Sequence, residues 1–471
     1  MGIIVYGGWI MFKLFRVALF FVLLVSLSFS VPVVFAAASN PVRVHNGAFP
    51  AKIAFLHHNH LWFVDGYQPD AKPVQLTKSG LVQIIGWSPS GEWLAYTFEE
   101  QESFENIKEL WVTNPVKHRS YLIEKRVNII NAHRSELPAW SPTNDTLAYL
   151  TSYRGQKEME LVSEDRTSLT IARMQKEKPL IKTVLSAKEN LEDFTWEPDG
   201  NNLTVSYAAS EKRPMIVERV TLDGQSSLLF SIEKEGVPGI EGMDQRSVVS
   251  MKWSPDGHYL AYFLHPNSGS TSADSNTIEV INMQNKRRIP LGTGLKYAEW
   301  FTWSPDSAKL AYIDGEGRDG NSNKRLTLFD VTAGERIVHA DQKGQVDTHP
   351  AWLPGISSSL LFTRGPATDP LAEKNNGSVF KNRHIWMKPQ HGNAKRLTSG
   401  PSTVSDYNVV PQINGNGFMF LRLSLDKQAF GSIYYQSLSA SKPVEWIRGV
   451  DKDFGYYGNF LPPAFAVYQK K

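Results

Sequence analysis

The chain offers acid–base and metal-ligating chemistry through 12 histidines and 47 carboxylates, and it has no cysteine. That absence removes disulfides, CxxC redox chemistry, Cys-ligated zinc and a thiol nucleophile together. The one histidine cluster is His57-His58-Asn59-His60. Neutral imidazoles at this spacing suit a transition metal, but strand alternation sends 58 and 60 to one side and 57 to the other, which makes at most half a site. A more dispersed set is His133, Glu136, Glu192, Asp193, Asp244, Glu299, Asp347, His349 and Asp406, followed by Asp451 and Asp453. Converging carboxylates of this kind would focus a negative potential and hold a cation or a basic peptide segment. Exposed loops are polar in any case, so the set becomes a ligand funnel only if one fold gathers these loops. Asp347-Thr348-His349-Pro350 is its strongest single loop. The chain contains no Gly-rich phosphate loop, no HExxH and no Gly-x-Ser-x-Gly elbow. Gly86-Trp87-Ser88-Pro89-Ser90 begins like the last and departs from it at Ser90. No catalytic residue, metal or cofactor is assigned.

The elements that must position these residues are repeats. Trp87-Ser88-Pro89-Ser90-Gly91 precedes Leu94-Ala95-Tyr96, and Trp140-Ser141-Pro142 precedes Leu147-Ala148-Tyr149. The pattern returns at Trp196-Glu197-Pro198-Asp199-Gly200 with Leu203, at Trp253-Ser254-Pro255-Asp256-Gly257 with Leu260-Ala261-Tyr262, and at Trp303-Ser304-Pro305-Asp306 with Leu310-Ala311-Tyr312. A looser copy is Trp352-Leu353-Pro354-Gly355 with Leu360. Successive tryptophans lie 53, 56, 57, 50 and 49 residues apart, and the Trp-to-Leu offset is 7 in the first five copies and 8 in the sixth. Fixed offsets of this kind mark a repeat architecture.

Each unit reads as a strand ending on Trp, a tight turn and an apolar return strand. Pro presets φ, Asp bonds the backbone beyond it, and Gly accepts positive φ. Further β-rich runs follow, such as Leu110-Trp111-Val112-Thr113 and Leu326-Thr327-Leu328-Phe329, then Arg336-Ile337-Val338 or Arg396-Leu397-Thr398. Four antiparallel strands per unit of about 50 residues predict an all-β propeller blade. Return strands at 53, 94, 147, 203, 260, 310, 360 and 418 give eight blades, with seven or six as alternatives. The first lacks an inner partner, and Tyr457-Gly458-Asn459-Phe460-Leu461-Pro462 is the candidate strand that supplies it from the C-terminus and closes the ring. In such a ring the loops leading into the innermost strands share one face with the second-to-third strand hairpins. The dispersed acids and histidines then surround the mouth of a central channel.

The WSPDGxxLAY unit resembles the TolB-type β-propeller repeat, which also occurs in the propellers of prolyl oligopeptidase and dipeptidyl peptidase relatives. The likeness covers roughly residues 50–465. It implies a periplasmic protein-binding scaffold in the TolB case and a propeller cap on a hydrolase domain in the peptidases. Similar repeats also occur in oligogalacturonate lyases, which use histidines and a metal. That resemblance keeps His133, His349 and the 57–60 cluster in view as parts of a metal-assisted polysaccharide lyase or hydrolase.

Residues 17–38 carry no charge and follow Lys13 and Arg16, and Ala36-Ala37-Ala38 closes the stretch. Basic, apolar and small-residue regions in this order predict a secretory signal over residues 1–38, with Met11 a rival start to Met1. A signal anchor is the alternative, and a membrane-held sensory or regulatory propeller would follow from it. The expected body is a single propeller domain over residues 39–471, extracytoplasmic and monomeric. The formal charge is +3, and removing Lys13 and Arg16 lowers it to +1, which gives no compositional support for nucleic-acid binding. Hydrophobic content of 41% excludes a disordered chain. The expectation is an exported, non-enzymatic scaffold that binds a protein or peptide partner across the propeller face.

Overall fold

The computed structural model describes residues 42–45, 49–68, 70–101, 107–128, 137–153, 166–237, 243–266, 276–317, 320–338, 343–355, 359–367, 382–424, 430–451 and 464–470. The chain divides into two units, residues 1–40 and 41–471, and every described residue belongs to the second. That unit is an eight-bladed β-propeller. Its eight sheets are antiparallel meanders, and the eight return strands read from the sequence are their second strands, from Lys52–His57 in the first blade to Gly417–Ser424 in the eighth. The Leu-Ala-Tyr pattern suits this position. Leu94, Ala95, Leu147, Ala148, Leu260, Ala261, Leu310 and Ala311 are fully buried, so both faces of the second strand are covered by neighbouring blades. Strands covered on both faces read as continuous apolar runs for this reason.

Blades are joined at their inner ends by tryptophan. The Trp140 indole donates to the carbonyl of Gly86 at 3.0 Å, Trp196 to Ala139 at 2.9 Å, Trp303 to Lys252 at 3.0 Å and Trp352 to Thr302 at 3.0 Å. In each case the acceptor directly precedes the tryptophan of the blade before. Trp253 departs from the rule and donates to the Thr204 hydroxyl at 3.1 Å. The reason is local. The fourth blade has Glu197 where its neighbours have Ser, and the Glu197 carboxylate takes the Thr204 hydroxyl proton at 3.1 Å and the Arg219 guanidinium at 2.8 Å. The turns after each tryptophan are closed from within. Ser254 donates to Asp256 and Ser304 to Asp306, both at 2.5 Å, and each aspartate accepts the amide two residues on.

The ring closes through a C-terminal strand, but through Phe465–Tyr468 rather than the Tyr457–Pro462 candidate, which lies outside the described residues. Phe465 pairs with Phe55, Ala466 with Ala54, Val467 with Ile53 and Tyr468 with Lys52. Prolines at 462 and 463 cannot donate to a ladder, whereas the four residues used all can. Trp87 then donates to Ala466 at 3.2 Å, so the closing strand plays the part of any inner strand. Gly91 packs on Tyr468, and at φ 65° a Cβ there would lie 2.2 Å from the ring. Where the eighth blade meets the first, the closing inner strand carries no tryptophan at its end. Gln469 replaces it by donating to the Pro411 carbonyl at 3.0 Å and accepting the Ile413 amide at 3.0 Å.

Two short strands go beyond four per blade. Glu235–Gly236 pairs with the inner strand of the fifth blade, and Arg43–Val44 pairs with the outer strand Val444–Asp451 of the eighth. After the second of these, Phe49 stacks on Trp446 at 4.4 Å and on Tyr435 at 5.2 Å. The N-terminal strap therefore covers the outside of the seam that the C-terminal strand closes from within.

Deleting residues 464–471 strips the first blade of its inner strand and Trp87 of its acceptor. Thermal unfolding followed by circular dichroism is expected to lose its single cooperative transition. A melt identical to that of the full chain would contradict this closure.

Candidate functional site at the mouth of the ring

The mouth carries the second-to-third strand hairpins and the connections between blades. His133, Glu136 and Asp453 lie outside the described residues. Asp244 is exposed where the inner strand of the fifth blade begins. Glu299 sits in a single 3-10 turn, Ala298–Trp300, ahead of the inner strand of the sixth blade. Asp193, Asp347, His349 and Asp406 meet groups from a neighbouring blade or its connection.

Asp347 and Asp406 occupy matching positions in the seventh and eighth blades. Each lies directly opposite an arginine on the second strand of its own blade, Asp347 against Arg364 and Asp406 against Arg422. The pairs are bidentate, with oxygen–nitrogen distances of 2.6 and 2.8 Å for Asp347 and 2.6 and 2.9 Å for Asp406. Each aspartate also grips the preceding blade. The amide of Asp347 donates to Lys324 and that of Asp406 to Arg383, at 2.9 and 3.0 Å. The Leu326 amide donates to Asp347, while the Thr398 hydroxyl and His384 Nδ1 bond Asp406 at 2.5 and 3.3 Å. Burial opposes ionisation of Asp406, yet the bonds from Arg422, His384 and Thr398 hold its carboxyl below the ordinary value of 3.8. With a depressed folded value, Asp406 contributes stability that is complete above 3.8 and is lost as pH falls through the folded value.

Asp193 does the same work between the fourth and fifth blades, accepting the Ser250 amide at 2.6 Å. Ser250 has φ 52°, His349 has φ 52° and Asn408 has φ 50°. Each stands three residues before the end of an inner strand, at Trp253, Trp352 and Pro411, inside a register shift. An inserted residue in the left-handed region bends the strand and re-aims its side chain. His349 is thereby turned toward the Trp300 ring, 6.2 Å away.

Glu192 on the fourth blade and Lys252 on the fifth are shifted in opposite directions by burial. Burial pushes Glu192 upward, partly offset by Lys296. Burial likewise pushes Lys252 down to about 8, against the attraction of Glu299. Its ammonium donates to Ala298 and Phe301 carbonyls at 2.7 and 2.9 Å and lies 4.7 Å from the Phe301 ring centre. Lys324 similarly caps the carbonyls of Glu316, Gly317 and Ser322. Arg383 is almost wholly buried, bonds Asn321 Oδ1 at 3.2 Å and is pushed down to about 10 by burial, against Tyr407 and Asp347.

The arrangement thus gathers Glu192 and Asp193 on one inner strand and Asp347 with His349 on another, and among the described residues Asp193, Asp347 and Asp406 are buried rather than free at the mouth. Arg364, Arg422, Lys252 and Lys296 went unnoticed in the sequence. A signal for the two arginines was present, since each stands four residues after the start of its return strand, in Leu360-Leu361-Phe362-Thr363-Arg364 and Phe418-Met419-Phe420-Leu421-Arg422. The lysines have no fixed offset and carried none. Among the described residues no group of three or more His, Asp or Glu is arranged to hold a metal ion.

Replacing Asp347 with Ala leaves the Arg364 guanidinium buried and unpaired, and denaturant unfolding is expected to show a loss of about 3–5 kcal/mol. The double replacement Asp347→Leu with Arg364→Met is expected to recover most of it. Equal losses in the single and double variants would contradict the pairing.

No protein-family model matches the chain, and no curated protein matches it by sequence. Solved structures similar to it include TolB from Acinetobacter baumannii, with 14% identity over 80% of this chain and 82% of that one and a TM-score of 0.32. The β-propeller domain of the Trilobed protease from Pyrococcus furiosus shows 11% identity over 77% of this chain and 97% of that one, with a TM-score of 0.42. A prolyl endopeptidase shows 12% identity over 85% of this chain and 50% of that one, with a TM-score of 0.44, so the chain spans half of that enzyme's length. The sheet topology, and not these scores, establishes the fold: the chain is an eight-bladed β-propeller.

Proposed function

We propose that this propeller is an exported, non-enzymatic scaffold that binds a protein or peptide partner on the mouth face. The observation that supports this reading is the use to which the mouth's charges are put. Asp193, Asp347 and Asp406 are buried and committed to holding adjacent blades in register. Groups fixed in this way make a rigid surface and are poor general acids or bases, because a catalytic group must exchange its proton with substrate. The exposed part of the face is left to hairpins and connections such as Glu211 and Asp244, which vary from blade to blade. A rigid ring with variable exposed loops is a recognition surface. Export rests on residues 1–38, whose order of basic, apolar and small residues is that of a secretory signal.

A catalytic reading has one observation in its favour, the opposite displacements of Glu192 and Lys252. Perturbed groups of this kind occur at active sites, but also in structural ion-pair networks. We place it second because the Lys252 ammonium is spent on two carbonyl oxygens.

A photo-crosslinking residue at Glu211 or Asp244 samples the mouth face, and one at Lys178, in the third-to-fourth strand hairpin of the third blade, samples the opposite face. In the native envelope the mouth positions are expected to give a discrete protein adduct and Lys178 none. Adducts of equal yield from both faces, or none from the mouth, would overturn the proposal.

A further inference from the structure

At the mouth end of the seam between the eighth and first blades a histidine hairpin meets the outer strand of the eighth blade. The hairpin joining Lys52–His57 to His60–Asp65 turns through His58 and Asn59, at φ 53° and 62°. Its two turn amides both donate to the Asp451 carboxylate, at 2.8 and 2.7 Å. His57 is buried, and its Nδ1 lies 2.6 Å from the Gly449 carbonyl. A carbonyl only accepts, so Nδ1 carries the proton and donates, and in the neutral ring Nε2 holds the lone pair. The ring is packed by His58 at 4.4 Å, Phe430 at 4.9 Å and Trp62 at 5.8 Å.

We propose that the 57–60 hairpin is a pH-sensitive clasp on the closing seam, in which protonation of His57 at Nε2 releases the hairpin from the outer strand of the eighth blade. A second proton creates an imidazolium in a niche walled largely by aromatic rings. The charged and titratable groups around it are few. His58 and His60 lie on its own hairpin and oppose a positive charge. Asp451 on the facing strand favours one, but its two oxygens already hold the His58 and Asn59 amides. Arg448 on that strand is engaged with Glu445, and Arg43 and His45 belong to the strap paired outside it. Burial, with His58 and His60, outweighs the Gly449 carbonyl and Asp451, so His57 titrates below its ordinary value of 6.5. The sign follows. The released hairpin binds the proton more tightly than the clasped one, so the clasp is at full strength above 6.5 and weakens as pH falls below it.

Hydrogen exchange of the full chain by mass spectrometry, corrected for intrinsic rates, tests this at pH values of about 7.5 and 5.5, which bracket an ordinary imidazole and stay above ordinary carboxylates. Protection of peptides spanning residues 55–61 and 465–470 is expected to fall by about threefold or more at the lower pH, while the fourth-blade strand Asn202–Tyr207 keeps its protection. His57→Asn retains a donor to Gly449 without a titrating ring and is expected to abolish the response. No fall in the natural chain, or the same fall in the variant, would overturn the clasp. Should the variant not fold, the His57 ring resonance in the natural chain decides: a titration midpoint below 6.5 supports the clasp, and one at or above 6.5 refutes it.

Discussion

A four-stranded sheet has two apolar faces and cannot cover either by itself, and in this ring the second to seventh blades each lean on the one before through the indole of a tryptophan. The ring supplies apolar area to the seam, and its N–H fixes the register by finding one backbone carbonyl of the preceding blade. A hydrogen bond of this kind contributes only about 1 kcal/mol net, yet a carbonyl left buried without it costs more. The bond therefore matters as a constraint on where neighbouring blades can sit. With no cysteine in the chain, closure has no covalent help.

Where tryptophan is missing, other groups take over the same task. Between the seventh and eighth blades it falls to Asp406, which Arg422, Thr398 and His384 saturate. Between the eighth and first it falls to Gln469 inside, the hairpin held by Asp451 near the mouth and the Phe49 strap outside. Burying a carboxylate is costly unless its lone pairs are filled. The network around Asp406 meets that condition, which explains how an acidic residue survives in the core of the ring. Three of the charges read as a ligand funnel in the sequence, Asp193, Asp347 and Asp406, are seam fasteners.

The sequence carried the fold well because each blade repeats the same solution. Trp, turn and an apolar return strand recur at fixed offsets, the six return strands behind a tryptophan fall where that spacing puts them, and the two without one keep the same apolar pattern. It carried the closing strand only approximately. Phe465–Tyr468 has no tryptophan and no turn of its own, since its partner strand comes from the far end of the chain, and the Pro-rich stretch just before it resembled the repeat more closely. The strap at Arg43–Val44 was invisible, because two residues bear no periodicity. The direction in which Asp347 and Asp406 point was also hidden: a loop position is legible in one dimension, whereas the choice between channel and seam depends on the bulge at His349 or Asn408 and on an arginine in the next strand.

The closed ring depends on the first and last strands meeting in one register. Ala54 and Ala466 face each other across the closing ladder, and both are small. Directly opposed residues on antiparallel strands lie within reach of a disulfide. In a chain with no other cysteine, Ala54→Cys with Ala466→Cys reports on that contact without background. Mild oxidation followed by non-reducing electrophoresis and intact mass is predicted to give a monomeric cross-linked chain, faster in mobility and lighter by two hydrogens. Two free thiols persisting in folded protein, or cross-linking only between molecules, would contradict the closed ring.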